Sequence, residues 1–107
     1  MKNKSQLLKG CLEGCVLKVI ESKNEIYGYD ILKILNENGF SDVTEGTLYP
    51  MYTRLQKQKF LSFKIKKSPL GPSRKYYSLT DEGKEYLKEF TENWNYISKK
   101  VNKILKK

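Results

Sequence analysis

Residues 46–80 read GTLYPMYTRLQKQKFLSFKIKKSPLGPSRKYYSLT, and two properties of this stretch decide how the chain is understood. Its apolar residues begin at helical spacing, with Leu48, Met51, Tyr52 and Leu55 along one side, then change to alternation, with Leu61, Phe63 and Ile65 interleaved by Ser62, Lys64 and Lys66. A period falling from about 3.6 to about 2 marks a helix giving way to a half-buried strand. Ser68-Pro69-Leu70-Gly71-Pro72-Ser73 supplies the prolines and glycine of a loop, and Arg74 to Leu79 returns as the second strand of a hairpin.

The same stretch holds eight basic residues, Arg54, Lys57, Lys59, Lys64, Lys66, Lys67, Arg74 and Lys75, and no Asp or Glu. The 107-residue chain has 21 Lys and Arg against 12 Asp and Glu, so the remaining 13 basic and 12 acidic residues contribute only +1 of the formal +9. A lysine-rich solvated face would be interspersed with carboxylates. An acid-free stretch is what phosphate neutralisation with counterion release requires, and double-stranded DNA becomes the expected partner.

Towards the N-terminus, Thr44 is a candidate cap for this third helix and Glu45 suits its positive end, while Pro50 is expected to bend the first turn or force a local adjustment. A second helix is predicted from Tyr27, with Ile31, Ile34 and Leu35 on one side and Asn38-Gly39 as its stop. Leu8, Cys11, Leu12, Cys15, Val16, Val19 and Ile20 follow an unbroken amphipathic pattern for a first helix, capped by Ser5 and ending near Ser22. Towards the C-terminus, Thr80 can cap a final helix of about 25 residues. Its Leu87, Phe90, Trp94, Ile97, Val101 and Ile104 form a heptad seam.

Three helices followed by a basic hairpin describe a mainly α winged helix-turn-helix domain, expected over residues 1–80, with a long C-terminal dimerisation helix over residues 81–107. The third helix and the hairpin, which would face DNA in that arrangement, are where the charge resides. The seam residues Leu87, Phe90, Trp94, Ile97, Val101 and Ile104 are the expected homodimer contacts; lengthwise packing on the chain's own first helix is the alternative. Two-fold symmetry would place two recognition helices on half-sites about one helical turn apart.

With no His and two Cys, the chain lacks the commonest general base and metal ligand. No catalytic site, metal or cofactor is expected. Cys11 and Cys15 are read as buried reduced thiols, a redox pair or soft-metal clip being the other reading. The apolar residues after Lys2 and Lys4 are interrupted by Lys9 and Glu13, which argues against a secretory signal, and no segment reads as a membrane span. A cytoplasmic protein is expected.

Tyr27-Gly28-Tyr29-Asp30-Ile31, Gly46-Thr47-Leu48-Tyr49-Pro50 with Arg54-Leu55, and Gly71-Pro72-Ser73-Arg74-Lys75-Tyr76-Tyr77-Ser78-Leu79-Thr80 with Glu82-Gly83 stand in an order and separation that resemble the PadR family of bacterial transcriptional regulators. The match runs from about residue 7 to about residue 105. The resemblance implies a homodimeric winged-helix repressor of the small subfamily, with one C-terminal dimerisation helix and, as in many members, release from a pseudo-palindromic operator by a small molecule. The sequence departs from the family pattern with Tyr52 where an aliphatic residue is common, and Gln58-Lys59-Phe60 where an acidic residue and Gly often close helix three.

The expected DNA contacts follow. Thr47 and Tyr49 offer hydroxyls near the start of the recognition helix, with Tyr49 otherwise a core residue. Arg54 and Lys57 lie farther along, suited to phosphate or to supporting the hairpin. Ser73, Arg74 and Lys75 beside the turn, with Lys64 and Lys66 on the opposing strand, make the wing contact. Tyr27 either gives its hydroxyl to phosphate or packs. Trp94, near its two-fold mate, either contacts a small aromatic or lipophilic effector or simply fills the seam. Other readings of the chain are a non-specific nucleic-acid-binding protein and an interaction adaptor built on the long helix.

Overall fold

Each periodic segment becomes an element of the expected type in the computed structural model, which describes residues 4–106. Among the described residues the order is α1 (Lys4–Lys23), β1 (Ile26–Tyr27), α2 (Gly28–Glu37), α3 (Glu45–Lys57), β2 (Leu61–Ser68), β3 (Gly71–Leu79) and α4 (Asp81–Leu105). The strands form an antiparallel sheet ordered β1-β3-β2. Leu12, Leu17 and Ile20 of α1, Ile31 of α2, and Leu48, Tyr52 and Leu55 of α3 bury their side chains completely or nearly so in one core.

The boundaries correct several expectations. Ser5 lies within α1 rather than capping it, and the helix ends where Asn24 takes a left-handed φ of 61°. Tyr27 does not begin the second helix. It pairs with Tyr76 across a two-residue strand that was not foreseen, since so short an element has no periodicity to read. Asn38 and Gly39 do close α2: the Asn38 side-chain amide donates to the Ile34 carbonyl at 2.8 Å, and Gly39 has a φ of 105°.

Thr44 stands at the α3 N-cap with extended backbone. Its carbonyl accepts from the amides of Thr47 and Leu48 at 3.1 and 3.2 Å, but its hydroxyl makes no capping bond. The expected bend at Pro50 does not interrupt the helix, which runs unbroken from Glu45 to Lys57. The missing amide falls opposite the carbonyl of Gly46, an exposed residue, where water can serve as donor.

The end of α3 explains one departure from the family pattern. The Phe60 amide donates to the Leu55 carbonyl and the Lys59 amide to that of Gln56, both at 3.0 Å, a Schellman closure with Lys59 in the left-handed position at a φ of 66°. A side chain is strained in that conformation, which is why glycine favours it.

Beyond this turn the chain is tied to α4. The Phe60 carbonyl accepts from the Thr80 amide at 3.1 Å. The Thr80 hydroxyl donates to the Lys59 carbonyl at 2.7 Å and accepts from the Gly83 amide at 2.9 Å, so it caps α4 as predicted. A Cβ on Gly83 would sit 2.1 Å from the Phe60 carbonyl oxygen, so this approach of helix to turn requires glycine.

The hairpin is tighter than the expected six-residue loop. Ser68 pairs with Gly71, leaving Pro69-Leu70 as the connection, and Pro72 lies inside β3. That position is tolerated because β1 reaches only Ile26 and Tyr27, opposite Tyr77 and Tyr76, so no second neighbour needs the missing N–H. Ile65, expected inward with Leu61 and Phe63, is 62% exposed, because the ribbon extends past the helices that cover its base.

The α4 seam divides. Leu87 is buried in the chain's own core, and the Phe90 ring lies against Gly14 of α1, where an added Cβ would come within 2.0 Å of it. These two expected dimer contacts are therefore used at least partly within the chain, as lengthwise packing on α1 required, and the first turns of α4 belong to the same core as the three preceding helices. Trp94, Ile97, Val101 and Ile104 remain exposed.

Replacing Lys59 by glycine relieves the left-handed strain at the cost of some unfolded-state freedom. Lys59→Gly is expected to raise the unfolding free energy by about 1 kcal/mol, read as a higher urea midpoint with an unchanged m-value.

Candidate nucleic-acid interface

With Leu48, Met51, Tyr52 and Leu55 turned inward, α3 presents Gly46, Tyr49, Pro50, Thr53 and Lys57 on its exposed face. At about 100° per residue these fall within one side of the helix, whereas Thr47 and Arg54, seven apart, lie on its flank. Tyr49 keeps much of its ring in water and meets Tyr52 edge-on at 5.9 Å. Partial burial, with lesser contributions from Glu45 and Tyr27, pushes its hydroxyl above the usual tyrosine range, so it is a neutral donor at neutral pH. Thr53, absent from the expected contacts, is exposed, with its hydroxyl donating to the Tyr49 carbonyl at 3.1 Å.

The flank residue Arg54 does not extend freely into solvent. Its guanidinium is paired with the carboxylate of Glu13 on α1. Lys57, in the last turn, is exposed and complements the negative helix end.

The sheet register sorts the wing residues onto two faces. Ser62, Lys64 and Lys66 of β2 stand opposite Ser78, Tyr76 and Arg74 of β3, and Tyr27 of β1 stands on the other side of Tyr76. Directly opposed residues share a face, so Tyr27, Tyr76, Lys64, Lys66 and Arg74 form one basic and aromatic surface. Lys75 pairs with Ile65 on the reverse, where its ammonium lies 4.3 Å from the centre of the Phe63 ring, and by alternation Ser73 shares that side. The expected cluster of Ser73, Arg74 and Lys75 is thus split by the strand itself.

The aromatic rings support the cations. The Arg74 guanidinium lies 4.7 Å from the Tyr27 ring centre and Lys66 4.8 Å from that of Tyr76. The rings of Tyr27 and Tyr76 are themselves 5.9 Å apart. Lys66 also pairs with Glu25, and the shared hydrogen bond holds the carboxyl below its usual range and the ammonium above its own. Glu25 and Glu13 come from outside residues 46–80, so folding neutralises two of the eight cations of that stretch. Tyr76 was missed at the sequence level, although its place two residues after Arg74 on an alternating strand was the signal.

A second feature takes no lining residue from α3 or the ribbon. An apolar groove of about 960 Å³ opens between α1, the end of α2 and α4, lined among others by Leu8, Cys11, Cys15, Val19, Phe90 and Trp94. Both cysteines are free and only partly buried here, short of the full burial expected, and burial together with Cys11 pushes the Cys15 thiol upward.

A helix with an exposed polar and aromatic face, held on two others and flanked by a cation-bearing ribbon, defines a winged helix-turn-helix DNA-binding protein. The family model for the transcriptional regulator PadR-like family matches residues 16–89, and the chain belongs to that family. It is similar to the crystal structure of a PadR-like transcriptional regulator from Bacillus cereus, with 48% identity, a TM-score of 0.82 and coverage of 95% of this chain and 98% of the other. A Streptococcus transcriptional regulator is 44% identical, with a TM-score of 0.81 and coverage of 92% and 96%. A PadR family transcriptional regulator from Eggerthella lenta is 33% identical, with a TM-score of 0.83 and coverage of 94% and 86%. The chain is therefore a DNA-binding transcriptional regulator and not an enzyme.

Because Glu25 screens one cation of the basic face, its removal should strengthen DNA binding. Glu25→Gln is expected to tighten DNA at low salt and to steepen the plot of log affinity against log salt by up to about 0.9, the contribution of one phosphate contact; a salt titration by fluorescence anisotropy measures both.

Proposed function

We propose that the protein is a cytoplasmic repressor that binds a pseudo-palindromic operator as a homodimer and is released by a small aromatic or lipophilic effector. The observation that carries this reading is the unfinished α4 seam. Trp94, Ile97, Val101 and Ile104 continue a heptad stripe past the point where the chain's own core ends, and they do so beside the apolar α1–α4 groove. A stripe of this kind is stable in water when a second helix covers it, and α4 of another copy has the matching pattern. Among the described residues, no helix is long and apolar enough to cross a membrane.

In this reading α3 enters the major groove with Tyr49, and with Thr47 at its flank, while Lys57 neutralises phosphate at the far end. Lys64, Lys66 and Arg74 approach the backbone or minor groove together, with Tyr27 as the platform for Arg74; Ser73 and Lys75 contact DNA from the reverse face of the ribbon, towards its tip. Trp94 and its two-fold mate border the effector slot, and apolar walls with few polar groups suit a flat ligand.

The test is binding of the purified chain to its own upstream DNA and to a scrambled duplex of equal length, across salt concentrations, with the mass of the complex recorded. A dimer that prefers the upstream DNA is expected, and Arg74→Ala should weaken it and lower the salt slope by about 0.9. Dimers that bind both duplexes alike would support non-specific nucleic-acid binding instead, and assembly without DNA binding would support an adaptor.

Trp94→Ala should reduce binding of a planar hydrophobic dye at least severalfold and loosen the dimer. Dye titration and analytical ultracentrifugation read the two effects separately, and no change in either removes Trp94 from the site.

A further inference from the structure

Glu13 joins three helices through one carboxylate. It stands on α1 with its side chain only 13% exposed, and its two oxygens serve different elements. Oε2 accepts from the Arg54 guanidinium of α3, and Oε1 accepts from the Tyr86 hydroxyl of α4 at 2.5 Å. The Tyr86 ring in turn stacks on Phe60, with centres 4.2 Å apart and planes 8° from parallel. Phe60 is the residue that closes α3, its amide bonded to Leu55 and its carbonyl to Thr80. The last turns of α3 are thus held from the side by Arg54 and from the end by Phe60, and both holds run through partners of Glu13.

A nearly buried carboxylate needs its donors, because losing one leaves a charge without compensation away from water. Bonding to Glu13 also pushes the Tyr86 hydroxyl up to about 12, with burial as the second cause, so it remains the donor at any physiological pH. Arg54 is 52% exposed and bonds Glu13 through one guanidinium nitrogen, so a phosphate could be met only by its remaining donors, from a guanidinium already held against α1. It also stands two turns further along the flank than Thr47, beside α1 rather than at the start of α3.

We propose that Glu13 and Arg54 are positioning residues for DNA recognition, which set the rotation of α3 against the α1–α4 pair, and that Arg54 is not a phosphate contact. The inference rests on α3 being the helix that reads DNA. A helix turned by a few degrees about its axis displaces every side chain on its outer face together, so a loss of this clamp weakens recognition without removing any charge that meets DNA.

The experiment uses the full chain and a duplex selected by the unaltered protein from a randomised pool. Affinity for this duplex and for a scrambled one is measured across salt for Glu13→Gln, Arg54→Gln, Tyr86→Phe and the Glu13→Gln/Arg54→Gln pair, with unfolding curves recorded for each. Each of the two clamp variants is expected to lose about tenfold in affinity for the selected duplex. The salt slope should stay unchanged, and the double variant should bind no worse than the weaker single one. If Glu13→Gln does not fold, Tyr86→Phe, which removes one hydroxyl, is expected to show a smaller loss of the same kind.

A salt slope lowered by about 0.9 in Arg54→Gln alone would make Arg54 a phosphate contact and overturn the proposal. Lower unfolding midpoints with unchanged affinity would overturn it too, by reducing the network to a role in stability. Failure of the unaltered protein to select any duplex would instead remove the underlying assignment of α3, and the proposal with it.

Discussion

A hydroxyl inside an apolar core must find an acceptor, and the arrangement of this molecule turns on where Tyr52 finds one. Its ring is buried in the centre of α3, and its hydroxyl donates to the carbonyl of Gly28 at the start of α2, at 3.1 Å. Burial raises that hydroxyl well beyond the ordinary tyrosine range, so the bond is made by a permanently neutral donor. The same ring lies 5.0 Å from that of Tyr77 in β3. A Cβ on Gly28 would come within 3.3 Å of Tyr77 and 3.4 Å of Tyr52, so the glycine lets both rings close over the helix start. One side chain thereby ties α3 to the start of α2 and both to the sheet. An aliphatic residue at this position would fill the space but leave the Gly28 carbonyl without that donor.

Much of this was legible in the order of residues, for a physical reason that also explains what was not. Periodicity reports which side of an element is apolar, so α1, α2, α3, the hairpin and α4 were all visible from their stripes. Burial is a property of the neighbours. Ile65 continues the alternation of Leu61 and Phe63, yet no helix extends far enough to cover it, and Leu87 continues the α4 seam although the chain's own core reaches it first. The two residues of β1 are held by pairing with β3 alone and leave no pattern. At the interface, the identity of the cations could be read, but not which of them folding would pair with an acid.

The distribution of charge is therefore an outcome of topology as much as of composition. A stretch with no acid in 35 residues meets Glu13 of α1 through Arg54 of α3, and Glu25 of the turn before β1 through Lys66. One carboxylate takes Arg54 on the flank of α3 and the other takes Lys66 on the ribbon. Among the described residues, the cations left without an acid on that ribbon face, Lys64 and Arg74, share it with Tyr27 and Tyr76. Aromatic support restricts the wandering of a long cationic side chain before it meets a partner, which lowers the entropy lost on contact.

The ribbon also limits how its own length can change. Arg74 and Lys75 differ by one residue and face opposite ways, so inserting a single residue between Lys75 and Tyr76, with Tyr76 held in its pairing, would exchange them and carry Arg74 off the row it shares with Tyr27, Tyr76, Lys64 and Lys66. Changes in steps of two would preserve the row. Variation in wing length that keeps this surface should accordingly be even-numbered, or else be accompanied by a bulge such as the one that already separates Lys66 from Ser68.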